Sequence, residues 1–392
     1  MVNEFRKPVL LLLLATVHII GCVDTHGSSR GTKNSFRASL GVLQDALTFT
    51  HGQARGPLPF GSLEREKNTE KTVYSIPDDS VIFSLIKEKS IRTEKNARGF
   101  WEAEFDGGHV FINIPKGDFI MGSKEGLPNE RPVHTVYLDD YWMGKYPVTV
   151  GQFRRFIEET GYITDAEKGL GSWQFWEGRW IVRYDGSWKN TYFYQDDDHP
   201  VVSVSWNDAS AYCRWISDKL GLPVTLPTAA QWEKGTRGND ERTYPWGNEI
   251  PDGTRANYAD INFWKKYDNS RPADKSVDDG FIETSPVGSF PAGASPYGLL
   301  DMAGNVWEWC YDVYDENYYS ASPGKNPTGP PDTGRPDQDR VDRGGGSWTD
   351  RSGHITPEGG HNLRSAARTG DEQNSSDDHL GFRLVIDFLP RG

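Results

Sequence analysis

Apolar residues along this chain recur at two spacings, and each spacing predicts an element. Alternation over residues 111–114 (Phe-Ile-Asn-Ile) and 118–121 (Asp-Phe-Ile-Met) predicts two short strands, with Pro115-Lys116-Gly117 between them as a hairpin signal. Residues 133–138 and 141–143 predict a second strand pair. Farther on the period becomes helical. Phe153, Phe156 and Ile157 stand at i, i+3 and i+4 between Thr149, a good N-cap, and Gly161, a good terminator, so a helix is expected to about Thr160. Ser205 with Asp208 reads as a capping box opening a helix to Lys219, whose inward stripe is Ala209, Tyr212, Cys213, Ile216 and Leu220. Thr228 with Gln231 opens a third, short helix carrying Trp232. After Gly238 the pattern breaks into loops, turns and short strands. The fold class expected is an irregular, loop-rich α+β domain over residues 106–388.

The preceding stretch, 22–105, is weakly periodic and reads as a tether with a poorly defined lead-in; residues 80–86 (Ser-Val-Ile-Phe-Ser-Leu-Ile) predict one short amphipathic element within it. At the N-terminus, Arg6 and Lys7 precede an apolar run from Val9 to Ile20. That run is too short for a comfortable membrane span but suits a secretory leader. Its end, Ile19-Ile20-Gly21-Cys22, resembles the bacterial lipobox, in which the cysteine is lipidated and becomes the first residue. Residues 1–21 are thus expected to be a signal peptide and Cys22 a lipid anchor, with ordinary cleavage or an uncleaved anchor as the alternatives. Each places the rest of the chain outside the cytoplasm, and the lipid anchor places it at a membrane of the bacterial cell envelope, periplasmic or on the cell surface.

Composition narrows the function. In 392 residues, 56 acidic and 43 basic side chains give a net charge of -13, and no long basic run is present, so nucleic acid is not an expected partner. The 14 Trp, 17 Tyr and 18 Phe exclude uniform disorder. Three cysteines, Cys22, Cys213 and Cys310, cannot build a disulfide framework.

Ordered phrases then carry a resemblance. They include His199-Pro-Val-Val-Ser-Val-Ser-Trp206, Leu226-Pro-Thr-Ala-Ala-Gln-Trp-Glu233, Tyr297-Gly-Leu-Leu-Asp-Met-Ala-Gly-Asn-Val-Trp-Glu-Trp309, Arg343-Gly-Gly-Gly-Ser-Trp348 and Leu380-Gly-Phe-Arg-Leu384. In this order, across residues 110–387, the chain resembles the formylglycine-generating enzyme (sulfatase-modifying factor) family. The resemblance implies a variant C-type-lectin fold. It also implies structural Ca2+ at two groups of positions: Asn257, Tyr258, Asp279 and Phe281, and Asp301, Gly304, Val306 and Glu308. Oxygen-rich loops of this kind suit calcium.

The family oxidises a cysteine with O2 using copper held by two thiolates, expected here between Gly344 and Arg368. That span holds no cysteine; Asp350 and Gly360 fall near the two expected thiols. Oxygen donors do not replace thiolates around Cu(I), so copper is not expected. Two readings follow. Asp350, His354, Glu358 and His361 offer imidazoles and carboxylates of the kind that hold non-haem iron, which leaves a divergent metal-dependent oxidase open; a solvated polar loop is the simpler reading of the same residues. Alternatively Trp348, His354, Asn362, Arg364 and Arg368, with short polar neighbours such as Ser347, form a recognition surface for a protein, peptide or glycan; the alternative for Trp348 and the two arginines is an internal role, which is the one expected for Arg368. Absent thiolates favour recognition or envelope scaffolding. No Gly-x-Ser-x-Gly elbow supports a hydrolase at Ser347.

Overall fold

Asp79–Lys89 forms a helix (α1) whose apolar side, Ile82 and Ile86, is buried, as the amphipathic pattern at 80–86 predicts. Strands Arg92–Lys95 (β1), Trp101–Phe105 (β2) and His109–Ile114 (β3) follow as an antiparallel meander. Ala103 and Phe105 enter the same core as Phe111, so the sheet takes in residues that the sequence texture assigned to the lead-in before 106. The computed structural model describes residues 79–267, 272–335, 338–343, 345–350 and 362–389. The leader, Cys22, His354, Glu358, Gly360 and His361 lie outside the described residues.

Strands Gly117–Met121 (β4), His134–Leu138 (β5) and Tyr141–Gly144 (β6) are present, but their pairing corrects the expectation. No hairpin forms at Pro115-Lys116-Gly117. Instead β3 pairs with β6, and β4 with β5. The physical reason lies in burial. Phe111, Ile112 and Ile114 of β3 and all four residues of β6 are buried, so β3 needs a neighbour on each edge. Pro115, without an N–H, ends the ladder, and the chain turns into a second, two-stranded sheet. The two corners are tied where the Lys116 amide donates to the Asp140 carboxylate.

Helix Val150–Thr160 (α2) starts at a complete Thr149/Gln152 capping box and stops at Gly161 in the left-handed region (φ 65°). Ser172–Trp176 (β7) and Arg179–Arg183 (β8) make a hairpin. Trp206–Leu220 (α3) carries the Ser205/Asp208 box and buries its predicted stripe completely. Fully burying residues such as Ile216 and Leu220 contributes about 1.5–3 kcal/mol each. Val224–Thr225 (β9), Ala229–Arg237 (α4, with the Thr228/Gln231 box) and Ile261–Tyr267 (α5) follow.

The C-terminal third returns through Trp307–Val313 (β10), Asp339–Arg343 (β11), Arg368–Glu372 (β12), Leu380–Gly381 (β13) and Val385–Ile386 (β14). Among the described residues, one sheet runs β1-β2-β3-β6-β14-β9 and another β12-β11-β10-β13. The chain end, β14, is therefore held between β6 and β9 inside the first sheet. Cys310 lies on β10, and its core cluster differs from that of Cys213.

Candidate ligand-binding site

The Gly-Gly-Ser-Trp segment turns sharply after β11 and fixes Asp350. Its Oδ2 accepts from the Ser347 amide, the Ser347 hydroxyl and Trp307 Nε1, each at 3.0 Å, and its Oδ1 accepts from Asn362 Nδ2 at 2.8 Å. Trp348 points away into the protein. It is fully buried among Phe175, Phe193, Phe263 and Tyr267, and its Nε1 donates to the Asp378 carbonyl at 3.2 Å. An exposed recognition role for Trp348 is thereby corrected: the aromatic cluster around it leaves the indole no access to solvent.

Above Asp350 opens a cavity of about 550 Å³. Three indoles form its walls: Trp173 from β7, Trp180 from β8 and Trp307 from β10. Acids complete it, with Asp371 and Glu372 from β12 and Asp377 before β13, beside His379. Burial pushes the Asp377 carboxyl up to about 7 and also raises Asp371. For His379 burial works against protonation, but the charges of Asp378, Asp377 and Asp350 outweigh it and raise its pKa. Its Nδ1 lies 3.6 Å from Asp378 Oδ1, and its ring sits 4.5 Å from that of Trp180.

Of the described site residues expected from sequence, Asp350 and Asn362 line this cavity. Ser347 is buried beneath it as a donor to Asp350. Arg364 is a buried fork onto Glu130, at 2.6 and 2.5 Å. Arg368 donates to the Asn129 and Asp315 carbonyls and lies over Tyr314 and Tyr319, the internal tie expected for it. Sequence reasoning missed Trp173, Trp180, Asp371, Glu372, Asp377 and His379. The available signal was the run Asp377-Asp378-His379 directly before Leu380.

The two loop groups linked to calcium are each brought together. In the first, Asp279 accepts from the amides of Tyr258 and Phe281, both at 2.9 Å, and burial pushes its carboxyl up to about 7. Asn257 Oδ1 is buried without a hydrogen bond. In the second, Gly304 (φ 76°) packs so closely on the first loop that a Cβ would fall 2.2 Å from the Asn257 carbonyl oxygen. Val306 is fully buried, and Asp301 accepts from the Gly288 amide at 2.7 Å, with burial pushing its carboxyl up to about 6. Glu308 is engaged otherwise. Both its oxygens meet Arg383, at 2.6 and 2.7 Å, and Trp232 Nε1 adds a bond of 2.8 Å.

The family model described as the sulfatase-modifying factor enzyme 1-like domain matches residues 102–388. The chain belongs to this family. It is 36% identical over 306 residues to the formylglycine-generating enzyme of Streptomyces coelicolor, covering 70% of this chain and 88% of that protein. It is also 31% identical over 305 residues to the Bos taurus protein named inactive C-alpha-formylglycine-generating enzyme 2, covering 70% and 87%. Among solved structures, PvdO from Pseudomonas aeruginosa matches with a TM-score of 0.55 at 24% identity, covering 76% of this chain and 98% of that one. Treponema denticola variable protein 1 matches with 0.51 at 19%, covering 75% and 98%. These likenesses show the fold: the formylglycine-generating-enzyme-like variant of the C-type-lectin fold, with few helices and several small sheets. Within this sulfatase-modifying-factor domain, Asp350 stands near where the family resemblance calls for a copper thiolate, already held by four donors.

Proposed function

We propose that the domain is a non-catalytic recognition or scaffold module, held outside the cytoplasm by a lipid on Cys22, with the tryptophan-walled cavity as its binding site. The observation that carries this reading is Asp350. A carboxylate that accepts three bonds on one oxygen and one on the other is a fixed structural acceptor, and oxygen donors do not hold Cu(I) as thiolates do. A relative whose name calls it inactive supports a non-catalytic role. Of the four candidate iron ligands, His354, Glu358 and His361 lie outside the described residues, and the fourth, Asp350, is held by protein donors.

Calcium in this reading is structural. The first loop group fits it: Asn257 offers an unsatisfied buried oxygen, and Asp279 stands near the further acids Asp260 and Asp278. Ca2+ bound there would supply the missing positive charge and tie the two loops. The second group fits less well, because Arg383 already neutralises Glu308.

A metal inventory of protein purified without chelator tests the reading. Calcium as the sole stoichiometric metal is expected; stoichiometric copper or iron overturns the non-catalytic assignment. For the anchor, metabolic lipid labelling should mark the wild type and spare Cys22→Ala; equal labelling of both, or of neither, removes that claim.

A further inference from the structure

We propose that the cavity selects an organic cation: an ammonium group carried on a small aliphatic body. This rests on taking the cavity as the binding site, and it adds the chemistry of the ligand. Charge is the first argument. Four carboxylates line the cavity, Asp350, Asp371, Glu372 and Asp377, while among the described residues no lysine or arginine does, and the one basic group among them, His379, leans toward Asp378.

Unmade hydrogen bonds are the second. Asp350 is fully satisfied, but Asp377 is not. It is only 8% exposed, and among the described residues its side chain accepts a single long bond, from the Ser375 hydroxyl at 3.2 Å. The Asp371 carboxylate receives none from the described residues. Burying a carboxylate without a partner is costly, and an incoming cation removes that cost. The raised pKa values of Asp371 and Asp377 express the same deficit.

The walls are the third. Indole faces attract cations through their quadrupole, and Trp173, Trp180 and Trp307 all line this one space. At about 550 Å³ the space is that of a small-molecule site. A bare metal ion does not match it, since the acids surround the cavity without converging. An anion is repelled, and an uncharged ligand leaves the carboxylates uncompensated.

The test uses the full-length protein and three small probes: choline, its uncharged carbon isostere 3,3-dimethylbutan-1-ol (dimethylbutanol), and the anion propionate. Binding is read by ligand-observed NMR and tryptophan fluorescence. Choline should bind at least tenfold more tightly than dimethylbutanol, and propionate should not bind. Asp371→Asn and Asp377→Asn should each weaken choline at least fivefold with the circular dichroism spectrum unchanged; Trp180→Leu should do the same without altering any charge. Equal binding of choline and dimethylbutanol at the cavity overturns the cation inference while the recognition reading stands. Choline that fails to bind, or binds equally to all three variants, also overturns it. The recognition reading itself falls separately, on a metal inventory that returns copper or iron.

Discussion

Replacing Arg383 by Met should destabilise the domain more than any change at its surface. Arg383 is fully buried, and its guanidinium grips Glu308 through Nε and Nη2. The same group donates to the carbonyls of Gly144 at 3.1 Å, Leu300 at 3.0 Å and Asp301 at 3.2 Å, joining β6, the 300–301 loop and β10. Methionine keeps the aliphatic stem but strands Glu308, which among the described residues retains only Trp232 Nε1. Removing one partner of a buried pair costs about 3–5 kcal/mol. At about 2–4 °C per kcal/mol for a domain of this size, the melting temperature should fall by roughly 10 °C. Thermal unfolding followed by near-UV circular dichroism at pH 7 reads it. Adding Glu308→Leu in the same chain should recover part of the loss, because a buried pair replaced by apolar groups is often neutral. A fall below about 1 kcal/mol for Arg383→Met alone would refute the reasoning, since Glu308 would then have another cation.

Three further outcomes follow from the geometry. Calcium at a hundredfold excess over its Kd should stabilise the chelated protein by about 2.7 kcal/mol, and Asn257→Leu should abolish that shift in a thermal melt; equal melts with EDTA and calcium speak against the first loop site. Asp377, near 3.9 when unfolded and about 7 when folded, binds its proton longer in the native state, so stability should fall as pH rises from about 4 to about 7. Asp377→Asn should therefore gain on the wild type in urea unfolding at pH 8 but not at pH 4; parallel losses at both would contradict the assignment. Trp348→Ala should cost about 3–5 kcal/mol, measured by chemical denaturation, as expected of a core residue. Lost binding without lost stability would return Trp348 to the ligand site.

The helices were legible because their signals are local. Thr149, Ser205 and Thr228 each find their capping partner three residues on, and Gly161 stops α2 with its own backbone. Strand positions were legible for the same reason, but partners were not. A period of two is identical in a hairpin and in the exchanged pairing of β3 with β6 and β4 with β5, and what decides is the burial of β3 on both faces. The cavity was the least legible feature. Trp173 and Trp180 reach Asp371 and Asp377 across nearly two hundred residues of chain, through the contact of the Trp173 backbone with Ser376 and Asp378. Trp348 was ambiguous because Phe175, Phe193, Phe263 and Tyr267, which bury it, come from three distant segments.

The most direct measurement is the mass of a Cys-x-Pro-x-Arg peptide after incubation with this protein, copper, a reductant and O2. With Asp350 near one thiolate position and no cysteine between Gly344 and Arg368, the peptide mass should remain unchanged. Stoichiometric aldehyde product, abolished by Cys213→Ser or Cys310→Ser, would contradict the account.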